Sequence, residues 1–297
     1  MKLTQFAFLA TLASTLIACH TSTQDKMTHT YKALTNQAVA PHLALDLGNS
    51  EHQQHIAQLF DELHTKGVLV IYDGKHTHAY GNALQRADTY YSPASTFKIA
   101  NAIIAIEQGV TNPNEVFIWH GEKRALKDWE RDLTLSEAMR VSAVPVYQQI
   151  ARRVGLDAMR QQLTRLNYGN GKIGNAVDEF WLNGELQITP KEQVKFVHAL
   201  ATNELAVSDS TQAAVRAMLY DTAINQTHIY GKTGLSAGAY PKTGWLAGFA
   251  IMPNAQVVSY ALNMQIHENT PLSARKQLVH DDLEQLGVVL KDNASNP

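Results

Sequence analysis

"SPASTFKIANAIIAIEQG" (residues 92–109) begins with turn formers and runs into an apolar segment that ends in glycine. Its apolar residues recur at helical spacing, so it reads as a helix stopped by Gly109. Ser95 and Lys98 stand three apart at its head, and positions i and i+3 share a helix face. That face continues through Ala102 and Ile106, residues that belong in a core. A lysine on a buried face is costly unless it is paired, neutralised or chemically altered. The serine beside it sits where the free N–H groups and the positive dipole end of a helix can serve a developing oxyanion. The pair is a candidate activated nucleophile, and the rest of the chain is read for its partners.

The 297 residues are 45% hydrophobic and 18% charged, enough for a substantial core. A formal charge of −2 argues against nucleic acid or an anionic membrane surface as partner. At the N-terminus, "MKLTQFAFLATLASTLIAC" has one lysine, an apolar run of signal-peptide length and small residues before Cys19, the sole cysteine. "LIAC" resembles a bacterial lipobox, so residues 1–18 are expected to be a lipoprotein-type signal and Cys19 the lipidated first residue of the mature chain. A plain secretory signal with an incidental cysteine is the alternative. Residues 19–53, polar and unpatterned at first, are expected to be a flexible tether, and residues 54–297 the folded domain. The implied location is the periplasm, with a lipid anchor to the outer membrane.

Ile56, Leu59, Phe60 and Leu63 predict an amphipathic helix, and "GVLVIYDG" and "KHTHAYGN" a pair of strands. The middle third reads as mostly helical. Thr134 with Glu137 and Thr189 with Glu192 form capping boxes, and Pro145 opens a helix that ends at Gly155. "HIYGKTGL", "GWLAGFAIM" and "QVVSYALNM" read as consecutive strands, followed by a helix from near Pro271 to Gly287. The early strands need the late ones to complete a sheet. The expectation is therefore one α+β unit, a central antiparallel sheet flanked by helices, with a helical lobe meeting it along a cleft.

Ser-x-x-Lys alone is weak and occurs twice, as "STFK" at 95–98 and "SARK" at 273–276, the second reading as a solvated helix face. Lys-Thr-Gly also occurs twice, at 232–234 and 242–244. The first leads out of a strand, whereas Lys242 follows Pro241 in a turn and reads as exposed. Taken in order, "STFK" at 95, "SAV" at 142, "YGN" at 168, "FWL" at 180 and "KTG" at 232 resemble the class D (oxacillinase-type) serine β-lactamases from about residue 55 onward. The spacings, 47 residues from Ser95 to Ser142 and 137 to Lys232, resemble those of that family and are shorter than expected of class A enzymes.

The resemblance implies the serine β-lactamase and penicillin-binding-protein fold, and hydrolysis of penicillins through an acyl-enzyme on Ser95. It implies that Lys98 reacts with CO₂ to become an N-carboxylated side chain and general base, with Val144 keeping the pocket dry and Trp181 donating its indole N–H. The backbone N–H groups of Ser95 and Leu235 are expected to form the oxyanion hole. Ser142 is expected to relay a proton to the leaving nitrogen and Lys232 to supply positive potential. Thr233, Gly234 and Arg275 match positions that hold the substrate carboxylate. No metal and no cofactor beyond CO₂ or bicarbonate is implied; the partners are β-lactam antibiotics, with monomer and dimer both left open.

"EFWLN" at 179–183 also fits a Glu-x-x-Leu-Asn pattern that would make Glu179 a base, against which "SAV" and "FWL" both argue. His76 and His78 alternate on a strand, but no further ligand pattern follows them, and a solvated hairpin is the reading. A penicillin-binding transpeptidase or carboxypeptidase and a β-lactam-sensing receptor domain are the competing functions. At the places where several carbapenem-hydrolysing relatives roof the cleft with an aromatic residue and a methionine, this chain has Ala125 or Leu126 and Ala237, so a carbapenem clamp of that kind is not expected. Penicillins, oxacillin included, are the expected substrates, and carbapenems are left open.

Overall fold

β1 (Gly67–Tyr72) and β2 (Thr77–Gly81) form the first hairpin of an antiparallel sheet in the computed structural model, which describes residues 45–289 except Asn183 and Ala239. The sheet is completed late in the chain by β5 (Tyr220–Ile224), β6 (Thr227–Leu235), β7 (Lys242–Ile251) and β8 (Val257–Ile266). Its order is β2-β1-β8-β7-β6-β5, so β1 closes against β8, with Val70 opposite Ala261. A two-stranded ribbon, β3 (Val116–Phe117) with β4 (Leu133–Thr134), lies apart from it.

The sheet is covered on both faces, which is why its inner strands read as nearly continuous apolar runs. On one face lie α1 (Ser50–Glu62) and α8 (Ala274–Gln285), where Ile56, Phe60, Leu278 and Leu283 cluster with Leu69, Leu246 and Leu262. On the other face sits the helical lobe: α2 (Lys98–Glu107), α3 (Leu135–Arg140), α4 (Val144–Val154), α5 (Leu156–Arg165), α6 (Pro190–Ala201) and α7 (Asp209–Leu219). Alternate β7 residues serve the two cores, Trp245, Ala247 and Phe249 facing the lobe and Leu246 and Ala250 facing α1 and α8. Residues 98–105 of α2 are all buried, as befits a helix apolar on every side except at Lys98 and Asn101. Both expected capping boxes form, at Thr134 with Glu137 and at Thr189 with Glu192.

Three expectations are corrected. The folded part begins before residue 54: α1 starts at Ser50, Asn49 caps it by accepting from the Glu51 N–H at 2.8 Å, and Leu47 is buried with its carbonyl accepting from Tyr80. The tether expected over 19–53 therefore ends earlier, because Leu47 has a core to enter. The edge strand β5 was not anticipated; "YDTAI" follows directly on α7 and is half-exposed, so it lacks a strand's apolar signal. Ser95 precedes the α-helix in a 3₁₀ turn, Ala94–Phe97, and the helix proper starts at Lys98. The signal peptide, Cys19 and most of the tether lie outside the described residues.

On α8, Asp282 is fully buried and neither carboxyl oxygen has a hydrogen-bond partner among the described residues. Burial, and secondarily neighbouring Asp281, raises its pKa well above the carboxylate range. The unfolded chain ionises Asp282 from about pH 4 upward while the folded chain retains the proton. Stability is therefore lost as pH rises from there toward the folded-state pKa, by about 1.4 kcal/mol per unit. Asp282→Asn is expected to raise Tm at about pH 7.5 and to leave it almost unchanged at about pH 4. Thermal melts at the two pH values check this; equal shifts at both would contradict it.

Candidate active site

The serine turn is pressed between β6 and α2. Ala94 takes a left-handed φ of 48° to enter it, and Thr96 donates to the Pro93 carbonyl through both N–H (3.1 Å) and Oγ1 (2.7 Å). Gly234 of β6 meets the turn so closely that a Cβ there would lie 3.1 Å from the Pro93 carbonyl oxygen. Only a glycine allows that approach without displacing the turn.

Lys98 is fully buried, and its Nζ donates to Ser95 Oγ at 2.8 Å. Its Nζ lies 5.4 Å from the ring centroid of Tyr147, on α4. Burial first, and the nearby Lys232 second, push its pKa well below the usual lysine value. Burial thus favours the neutral amine beside the serine hydroxyl. Asn101, one turn further along α2, ties the helices together by donating to the Tyr147 carbonyl at 3.0 Å. Val144 is half-buried at the first residue of α4. Ser142 stands just before that helix with φ of 59°, a conformation costly for a non-glycine residue. Its turn is held by Ala143 donating to Ala138 and by the Trp129 indole donating to the Val141 carbonyl, at 2.8 and 2.9 Å.

On β6, Lys232 and Gly234 share the face turned to the serine turn, since alternate strand residues point the same way. Lys232 is buried, and its pKa is lowered to about 7 by burial and then by Arg275 and Lys276. Ser236 donates to the Thr243 carbonyl of β7 at 2.9 Å. In the two-residue alternation of an antiparallel ladder, the N–H of Leu235 then turns away from β7, and β5 pairs with β6 only as far as Tyr230. The Leu235 donor thus faces the open edge of β6, where an oxyanion donor is wanted.

Arg275 is buried, donating from Nη1 to the Gly234 carbonyl (2.7 Å) and from Nε to the Leu272 carbonyl (3.0 Å). Part of the guanidinium fork thus braces the Lys-Thr-Gly strand, and its other terminal nitrogen is left for an anion. Thr233 keeps its hydroxyl 3.4 Å from Lys232 Nζ. Trp181 is fully buried, stacked on Phe97 at 5.1 Å and met edge-on by Phe180 at 5.0 Å. Phe97 immediately precedes Lys98. Among the described residues the Trp181 indole N–H has no hydrogen-bond partner, an orphaned donor in the layer beside the buried lysine.

Other sequence candidates fall outside this cluster. Glu179 and Lys242 are exposed, Lys276 pairs with Asp221, and His76 pairs with Asp73 in the β1–β2 hairpin. Among the described residues no cluster of three or more metal-ligating side chains occurs. Tyr147 was missed from the sequence, although its place one turn after Val144 on a proline-opened helix put it within reach of the lysine.

The sheet, the lobe and a buried Ser-x-x-Lys pair facing Lys-Thr-Gly define a penicillin-recognising serine acyl-transferase fold. Residues 56–284 match the penicillin-binding-protein transpeptidase domain family. The chain is 40% identical over 227 residues to β-lactamase OXA-10 of Pseudomonas aeruginosa, covering 75% of this chain and 85% of that one. It is 36% identical over 231 residues to β-lactamase OXA-48 of Klebsiella pneumoniae, covering 77% and 87%. The solved structure of FUS-1 (OXA-85), a class D β-lactamase from Fusobacterium nucleatum subsp. polymorphum, matches 80% of this chain and 99% of its own, with a TM-score of 0.76 and 31% identity. The chain belongs to the class D β-lactamases, serine hydrolases that open the β-lactam amide bond.

The two Lys-Thr-Gly runs separate cleanly. Lys232→Ala is expected to lower kcat/KM for a penicillin by about 10- to 100-fold, mainly through KM, and Lys242→Ala by less than about twofold. In the wild type, kcat/KM is expected to decline as pH rises through about 7, where Lys232 loses its proton. Steady-state kinetics across pH check both; an equal loss from Lys242→Ala would contradict the assignment.

Proposed function

We propose that this enzyme hydrolyses penicillins, oxacillin among them, through an acyl-enzyme on Ser95 with N-carboxylated Lys98 as general base. The observation that carries this reading is a fully buried lysine amine 2.8 Å from the serine hydroxyl, its pKa pushed well below the usual lysine value by burial, next to a layer holding an indole N–H that lacks a partner among the described residues. A neutral amine is the form that takes up CO₂, and an orphaned donor fits an added carboxylate. That carboxylate would supply the oxygen that receives the serine proton and orients water in the second half-reaction.

In this reading Ser95 Oγ attacks the lactam carbonyl, and the N–H groups of Ser95 and Leu235 receive the oxyanion, each donor contributing about 3–4 kcal/mol. Ser142 passes a proton to the departing ring nitrogen. Lys232, Thr233 and Arg275 receive the substrate carboxylate. Ala125, Leu126 and Ala237 are all exposed and bring no aromatic–sulfur bridge over the cleft, which favours penicillins as the principal substrates. Export through residues 1–18 and lipidation at Cys19 complete the proposal, placing the enzyme in the periplasm on a membrane anchor; the mass of the mature N-terminus tests that part.

The kinetic test is turnover of nitrocefin with bicarbonate removed and restored. Sustained turnover that falls on removal and recovers on addition is expected. A single stoichiometric burst would point to a sensor or transpeptidase. Indifference to bicarbonate together with an inactive Glu179→Gln variant would move the base to Glu179.

A further inference from the structure

Ser92, read from sequence only as a turn former, stands where three catalytic segments meet. Three residues ahead of Ser95, its hydroxyl donates to the Trp181 carbonyl at 2.8 Å. Its own carbonyl accepts from the Trp245 indole at 3.0 Å, and Trp245 lies opposite Gly234 in the β6–β7 ladder. The preceding residue, Tyr91, exchanges both backbone hydrogen bonds with Ile188, at 3.1 and 2.9 Å, beyond the Trp181 segment. One residue therefore links the nucleophile turn, the tryptophan segment and the Lys-Thr-Gly strand.

We infer that Ser92 is a positioning residue for the lysine base: its hydroxyl fixes the backbone of Trp181, and so aims the indole N–H that holds the carboxylated form of Lys98. The inference rests on the proposed carboxylation. Aromatic packing restrains the Trp181 ring through Phe97 and Phe180, but stacked rings slide easily in their own planes. A hydrogen bond to the main chain resists that sliding and sets the height of the indole nitrogen. Without the hydroxyl, a buried carbonyl loses its donor and the segment is driven to find another. The lysine, the nucleophile and the oxyanion donors stay in place, so the deficit falls on carboxylate retention alone.

The test is the activity of the full chain titrated with bicarbonate, alongside carbon-13 NMR of the enzyme in labelled bicarbonate, for wild type, Ser92→Ala and Ser92→Thr. Ser92→Ala is expected to need roughly five- to tenfold more bicarbonate for half-maximal activity and for half-maximal carbamate signal, with saturated rates within about twofold of wild type. Ser92→Thr, which keeps the hydroxyl, is expected to match wild type. An unchanged half-saturation in Ser92→Ala, an equal shift in Ser92→Thr, or a loss that bicarbonate does not repair would overturn the inference. If Ser92→Ala does not fold, Ser92→Cys, near in size and a poor donor, is read by the same criteria. A wild type without carbamate signal or bicarbonate dependence would instead overturn the carboxylation reading itself.

Discussion

Lys98→Ala is expected to lower kcat/KM for a penicillin by about 10²–10⁴-fold, the range for removing a positioned general base. Lys98 Nζ contacts Ser95 Oγ directly, and among the described residues no other titratable side chain is hydrogen-bonded to that hydroxyl. Both half-reactions need a proton acceptor at this point, so the loss has to appear in acylation and again in release of the acyl group. Trapped acyl-enzyme, seen by intact mass after a long incubation, distinguishes a catalytic lesion from a failure to bind. Added bicarbonate is expected to restore nothing, because the amine is gone. Retention of more than about a tenth of wild-type kcat/KM would mean that another group is the base.

The second large effect is expected from Trp181→Phe. The substitution keeps an aromatic ring against Phe97 and Phe180 but deletes the orphaned indole N–H. A hydrogen bond to a charged group contributes about 1.5–3 kcal/mol, so carbamate retention is expected to fall by roughly 10- to 100-fold. The smaller ring also leaves a void in a fully buried layer, costing about 1–3 kcal/mol of stability. These two consequences separate on titration: high bicarbonate recovers most of the activity and none of the stability. Activity that stays low at saturating bicarbonate would assign Trp181 a packing role only.

Much of this architecture was legible because its signals are local. Proline at the head of α4 and the two Thr–Glu capping boxes announce helix starts through backbone chemistry confined to a few residues. The apolar runs of β1, β7 and β8 were readable because both sheet faces are covered. β5 was hidden because an edge strand needs one apolar flank at most and this one directly follows a helix. The start of α1 was misplaced because Leu47 closes a short apolar run with no helical or strand period, and its burial depends on contact with Tyr80, 33 residues along the chain.

The site divides the same way. Ser95 and Lys98 were visible as a local conflict, a cation at the head of an apolar helix, and burial in the folded chain is the other half of that conflict. What joins them to Lys232, Trp181 and Arg275 is long-range packing that a single chain reading supplies only through motif order. Arg275 shows the limit: its motif match pointed to the substrate carboxylate, and nothing in the motif announced that two of its nitrogens hold main-chain carbonyls. Ser92, Trp245 and Tyr147 carried no motif, and their roles follow from hydrogen bonds between segments far apart in sequence.

Carbon-13 NMR of the wild-type enzyme in labelled bicarbonate addresses the lysine base most directly. The expected result is one carbamate resonance that is absent from Lys98→Ala and that fades on acidification in step with activity. Full activity in a sample that shows no such resonance, with Lys98 an unmodified amine, would contradict the account.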